Sequence, residues 1–89
     1  MSNNLKDHVY YNIIIRDMEK HVEKEFLKSG KLLSINIDIE LLDSSFESNL
    51  LDVRTHIDKK SKDTLFLKTT VIENKKILIQ ATAIWSKEI

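Results

Sequence analysis

The chain has 89 residues, of which 42% are hydrophobic and 31% are charged, a composition typical of one folded domain. Lys plus Arg and Asp plus Glu both number 14, so the excess positive charge used by nucleic-acid binders is missing. Cysteine is absent, which excludes disulfides and thiolate metal sites. We find no apolar run of the ~20 residues that span a membrane and no signal peptide. We therefore expect a single cytoplasmic domain over residues 1–89, with no membrane or nucleic-acid partner.

The first predicted element is an amphipathic helix from about Val9 to Lys28. Apolar side chains recur along it three and four residues apart and form one stripe that contains Tyr11, Ile14, Met18, Val22 and Phe26. Asp7 precedes the helix, where a carboxylate can cap free backbone N–H groups. Gly30 follows it, and we expect this glycine to end the helix in a left-handed conformation.

From residue 32 the hydrophobic period becomes two, which predicts strands. Four strands are expected at about residues 33–41, 50–58, 63–73 and 76–86, with polar breaks at 43–45, 59–62 and 74–75. On the last strand, one face should carry Ile77, Ile79, Ala81, Ala83 and Trp85, and the other face should carry Leu78 and Ile84. Short connections favour antiparallel neighbours, so the sequence predicts an α+β domain of order α-β-β-β-β with the helix packed on one face of the sheet. Because the last two strands are apolar on both faces, we expect a partner subunit to cover the second face.

Several stretches of the chain resemble the hotdog fold, in which a curved antiparallel sheet wraps one long helix. The helix stretches are Val9-Tyr10-Tyr11, Ile14-Ile15-Arg16, Met18-Glu19 and Ser29-Gly30, and the sheet stretches are Ser34 to Leu42 and Asp63 to Trp85. The resemblance covers about residues 4–86 and is to the 4-hydroxybenzoyl-CoA thioesterase branch and related short acyl-CoA thioesterases. It implies hydrolysis of an acyl thioester by a homodimer or homotetramer, with no cofactor apart from the coenzyme A of the substrate. Family members usually have a further strand before the helix, and too few residues precede Asp7 to form a full one.

The resemblance also implies catalytic residues, and this chain departs from the family pattern at two of them. Many members carry an Asp three residues before a Gly ahead of the helix, and the matching positions are Asn4 and Asp7. Asn4 can orient water or substrate but cannot act as a base. Asp7 can replace the missing carboxylate, or it can serve as the helix cap, which is the more common use. Glu19 can act as a helical base at a subunit interface, or it can be a solvated surface charge.

The substrate-binding residues implied by the resemblance lie at the start of the helix. Backbone N–H groups at about Val9 to Tyr11 would polarise the thioester carbonyl. His8 adjoins Asp7, although adjacent helical residues do not face each other. Tyr10 and Tyr11 can line an acyl pocket, or one of them can pack in the core.

The remaining polar candidates carry weaker signals. The positions that can meet the phosphates of coenzyme A are Arg54, Lys59, Lys60 and Lys62, although a lysine-rich turn is usually only solvated. His21 and His56 are interpreted as surface residues, and with His8 they are too scattered along the sequence to suggest a metal site.

Two other interpretations stay open. Asn4, Asp7 and the missing first strand suggest a non-catalytic hotdog module that binds an acyl group or serves oligomer assembly. A cone-shaped NTF2-like domain also combines helices with a curved sheet, but such domains normally have more than one helix before the sheet.

Overall fold

A computed structural model describes residues 3–40 and 51–88 of the chain, with side chains from residue 10 onward. The helix α1 (Asn3–Phe26) is followed by four strands, which are β1 (Gly30–Ile39), β2 (Leu51–Lys60), β3 (Thr64–Glu73) and β4 (Lys76–Lys87). The predicted α+β class and the order α-β-β-β-β are therefore confirmed. The predicted break at residues 43–45 lies outside the described residues.

The four strands form one antiparallel sheet in the order β1-β4-β3-β2. The last strand returns to pair with the first, so β1 and β2 are the two edges although they are neighbours in the sequence. The sheet is curved and open, and α1 packs against one face of it, an arrangement consistent with a hotdog-like fold.

The hydrophobic core lies between α1 and the two central strands. Helix side chains one turn apart, at Ile14, Met18 and Val22, are fully buried. They meet a second buried set from the sheet, which consists of Leu65, Leu67, Val71, Leu78, Ile79, Ala81, Ala83 and Trp85. The indole Nε1–H of Trp85 donates to the Met18 sulfur at 3.5 Å. The predicted apolar stripe is thus the face of the helix that the sheet covers, except at Tyr11, which is 39% exposed while its neighbour Tyr10 is buried.

Both predicted helix ends differ from the observed ones. The helix begins at Asn3 rather than near Val9, so Asp7 lies inside it, and the prediction that Asp7 caps the helix is wrong. At the other end, Leu27 takes the left-handed conformation with φ of 61° and donates its N–H to the carbonyl of Glu23. Gly30 has no positive φ and begins β1, so its predicted role as helix terminator is also wrong.

Gly30 serves instead as a point of close approach between α1 and the sheet. A Cβ atom at this position would collide with the Val22 side chain and would lie 3.0 Å from the backbone oxygen of Ser86. The absence of a side chain therefore lets the start of β1 pass directly beneath the last turns of the helix.

We expect Gly30→Ala to lower the free energy of unfolding by about 1–3 kcal/mol, because the added methyl group overpacks the contact with Val22. The sign of this change in stability tests the close contact, because Gly→Ala at an unstrained position with negative φ usually stabilises a protein by about 0.4–1 kcal/mol. Urea unfolding followed by Trp85 fluorescence measures the change, with Ser29→Ala at the neighbouring exposed position as the control. A Gly30→Ala variant as stable as the wild type would show that α1 does not approach β1 this closely.

Two residues near the start of β4, Ile77 and Leu78, lie on the faces opposite to the predicted ones. Leu78 was expected on the second face, but it is 2% exposed and belongs to the core, whereas Ile77 is 43% exposed. The pairing of β3 with β4 shifts between Val71 and Ile72, so that Leu78 is an extra residue on β4. Such a bulge breaks the alternation of side chains, and Leu78 and Ile79 both contribute to the core.

Within the described residues, α1 is not both long and apolar enough to cross a lipid bilayer.

Candidate functional site

The helix α1 has two flanks beside its buried stripe, and Asp17 and Glu19 lie on opposite ones. Residues two apart on an α-helix point about 200° apart. The hydroxyl of Thr55 on β2 donates to Asp17 Oδ2 at 2.6 Å, which places Asp17 on the flank facing β2. Glu19 therefore lies on the flank facing the other edge strand, β1, with an exposed side chain.

The flank between α1 and β1 is apolar and half exposed. Tyr11 and Ile15 precede Glu19 by two turns and one turn, so the three form one row along the helix; Tyr11 is 39% exposed and Ile15 is partly buried. On the strand, Ile37 is partly buried and Ile39 is 42% exposed. A carboxylate thus stands at the rim of an apolar surface that the rest of the described chain leaves incompletely covered.

The flank between α1 and β2 is closed by a chain of hydrogen bonds. Thr55 and Thr69 lie directly opposite each other in the sheet, with their hydroxyl oxygens 2.6 Å apart. The Thr55 hydroxyl has one proton, which it donates to Asp17, so Thr69 must donate to Thr55. Because Thr69 is fully buried, this chain satisfies a polar group that would otherwise be costly inside the core.

Two further contacts accompany this chain along the same flank. His21 Nδ1 lies 2.9 Å from the backbone oxygen of Asp17 and 4.0 Å from its carboxylate. Closer to the end of the helix, the ammonium of Lys60 pairs with the carboxylate of Glu25. The contacts of Asp17 with Thr55 and of Glu25 with Lys60 therefore connect α1 to β2.

We expect Thr55→Val to destabilise the protein by about 1–3 kcal/mol, because it leaves the buried Thr69 hydroxyl without its acceptor and removes the donor to Asp17. Thr69→Val should cost less, about 0.5–1.5 kcal/mol, since Thr55 can still donate to Asp17. Urea unfolding of both variants tests the order of the two effects. If Thr69→Val were the more damaging change, the proposed direction of the hydrogen-bond chain would be wrong.

The apolar pattern of the helix alone does not point to the contact between Asp17 and Thr55. The signal was the pair of threonines at core-facing positions of β2 and β3, because buried hydroxyls need partners. The carboxylate of Asp17 on the helix supplies a hydrogen-bond acceptor. That the two threonines lie opposite each other can be seen only once the register of β2 against β3 is known.

The predicted site residues at the start of the chain all lie within α1. Asn4, Asp7 and His8 belong to the first turns of α1 rather than to a loop before it. The backbone N–H groups of Val9 to Tyr11 lie beyond the first turn, where they bond to carbonyls four residues earlier. The expectation that these N–H groups are free to polarise a carbonyl is therefore wrong.

The two tyrosines differ in environment. Tyr10 is 5% exposed and belongs to the core, in agreement with the packing interpretation for one of the pair. Tyr11 lies on the open flank facing β1, where it can contact a ligand.

Three of the four basic residues suggested for phosphate binding contact other residues of the chain. Arg54 pairs with Asp52 at 2.7 Å, Lys60 pairs with Glu25 on the helix, and Lys59 lies 6.0 Å from the centre of the Phe66 ring. Across residues 3–40 and 51–88, no three His, Asp or Glu side chains come together as a metal-binding group.

No protein-family model matches the chain, and no curated protein matches it at a significant level. A solved structure of a hypothetical protein (AQ1494) from Aquifex aeolicus has a similar fold, with a TM-score of 0.69 and 12% sequence identity. The match covers 92% of this chain and 80% of the other. At this identity the similarity supports the fold alone.

Proposed function

We propose that this chain is an acyl-thioester hydrolase of the hotdog type that works as a homodimer, with Glu19 as the general base. The observation that carries the proposal is the half-exposed apolar flank between α1 and β1 with a carboxylate at its rim. An acyl chain fits the apolar part, while the carboxylate stays hydrated close to the thioester.

The proposed reaction needs one proton transfer in each direction. The Glu19 carboxylate accepts a proton from a water molecule as the water oxygen attacks the thioester carbonyl. The carbon–sulfur bond then breaks, and the leaving thiolate takes up that proton from Glu19, which restores the carboxylate. The products are a free acid and a thiol, such as coenzyme A when the substrate is an acyl-CoA.

A second copy of the chain is the expected cover for this flank, because the two sheet edges differ in their protection. The edge strand β2 has charged side chains at five of its ten positions, and such charges discourage strand addition. Strand β1 has only Lys31 and Asp38 as charged residues over its ten positions. Pairing of two β1 strands about a two-fold axis would join the two sheets and place the partner beside Ile15 and Glu19.

The alternative is a non-catalytic hotdog module that binds an acyl group or serves assembly. It is favoured by the position of the helix start, because α1 begins at Asn3 and the N–H groups of Val9 to Tyr11 are used within the helix. A protein of this kind would keep the apolar flank and the β1 edge but would lack turnover.

Hydrolysis of a panel of short, medium and aromatic acyl-CoA substrates by the purified chain, followed by thiol release, separates these two functions. The hydrolase predicts turnover that saturates with substrate. Binding of acyl-CoA without thiol release, seen by native mass spectrometry, would support the non-catalytic module and overturn the hydrolase.

A further inference from the structure

The face of the sheet opposite α1 contains a row of four side chains that crosses all four strands. Ser34 on β1 pairs with Ile84 on β4, which pairs with Phe66 on β3, which in turn pairs with Lys59 on β2. The neighbours of Phe66 along β3 are buried in the core, whereas Phe66 itself is 37% exposed. The row therefore lies on the outer face, and it runs from a hydroxyl through two apolar groups to an ammonium.

Both edge strands have a bulge beside this row. The pairing of β1 with β4 shifts between Leu32 and Ser34, and the pairing of β2 with β3 shifts between Ile57 and Lys59. Regular alternation would put Lys59 on the same face as Ile57, toward the helix. The bulge turns Lys59 to the outer face beside Phe66, and bulges are over-represented where a side chain is re-aimed next to a functional site.

A cleft of about 370 Å³ lies over the row, a volume within the range of small-molecule sites. Its polar end is formed by Ser34, Asn36 and Thr82, and its charged end by Asp58 and Lys59. None of the three polar side chains forms a hydrogen bond to another described residue. At the charged end, Asp58 is already paired with His56 at 3.0 Å.

We propose that this outer cleft binds a planar aromatic anion. The flat ring lies on Ile84 and on Phe66, where stacking favours a planar group, and it displaces the Lys59 ammonium that stands 6.0 Å from the centre of the Phe66 ring. The anionic group meets the Lys59 ammonium, and ring substituents can hydrogen-bond with Asn36 and Thr82. The cleft lies on the opposite face of the sheet from Glu19, so this site is independent of thioester hydrolysis.

Titration of the full chain with benzoate tests the site, with amide and side-chain NMR resonances as the readout. Benzamide keeps the ring without the charge, and acetate keeps the charge without the ring. We expect saturable shifts centred on Asn36, Phe66 and Thr82 with benzoate, and affinities about three- to fivefold weaker with each of the two other probes. Equal binding of benzoate and acetate, or shifts centred elsewhere, would overturn the proposal.

A variant with a matched control identifies the cationic partner. Lys59→Gln should reduce the affinity for benzoate about three- to fivefold, to the level of benzamide. Lys76→Gln removes an exposed lysine near the opposite hairpin turn and should leave the affinity unchanged. Equal effects of the two substitutions would mean that general charge attraction, rather than this cleft, holds the anion. Because benzoate is no thioester, the result does not depend on hydrolytic activity.

Discussion

Glu19→Gln is expected to reduce kcat/KM for acyl-thioester hydrolysis by about 10²–10⁴-fold, the usual contribution of a general base. The amide has nearly the shape of the carboxylate but cannot accept a proton from water. Because Glu19 is exposed on the helix and makes no described contact with the core, folding should be preserved. Circular dichroism and urea unfolding of the variant establish this before activity is compared.

Two matched substitutions distinguish Glu19 from other carboxylates of α1. Glu23→Gln changes an exposed residue one turn further along the helix and should leave kcat/KM unchanged. Asp7→Asn tests the carboxylate that the family resemblance suggested near the start of the chain. If Asp7→Asn abolished turnover while Glu19→Gln kept it, the reaction would take place at the N-terminal end of α1 and the proposed role of Glu19 would be wrong.

The order of elements was predictable because it depends on local hydrophobic period. Apolar residues recur every four positions at Ile14, Met18 and Val22, and they alternate with polar residues in β1 and β3. In the structure these segments are a helix and strands, as the two patterns predict. The helix start was missed because residues 3–8 have no periodic apolar side chains. An apolar period indicates that one face of a helix is buried, and a helix can form without it. The strand order β1-β4-β3-β2 depends on pairing between distant segments, which local patterns do not encode.

Local interpretations failed where the deciding contact comes from a distant residue. Gly30 was interpreted as a helix terminator. In the structure, glycine is needed there because the Val22 side chain leaves no room for a Cβ atom. Leu78 was assigned to the wrong face because strict alternation of side chains cannot predict where a bulge adds a residue.

For the candidate site, Glu19 and Tyr11 could be chosen from the sequence. That both residues lie on the flank of α1 that faces β1 follows from the packing of the buried stripe together with the contact between Asp17 and Thr55, and the sequence shows neither.

Met18→Ala is expected to lower the free energy of unfolding by about 2–5 kcal/mol, because it empties a fully buried position between α1 and the sheet. The truncation also removes the sulfur that accepts the Trp85 Nε1–H. Small domains are stable by only about 5–15 kcal/mol, so this one change can remove a large share of the total. Trp85 is the only tryptophan of the chain, and its fluorescence reports directly on this contact during urea unfolding.

Met18→Leu separates the two contributions. Leucine keeps most of the volume but offers no acceptor, so this variant should cost less than about 1.5 kcal/mol, and the difference from Met18→Ala measures the cavity. A shift of the Trp85 emission in both variants would report the lost indole contact. If Met18→Ala and Met18→Leu were equally stable, Met18 would not be enclosed by the sheet. The flank that holds Glu19 would then lack its structural basis, because its position beside β1 follows from the packing of this stripe.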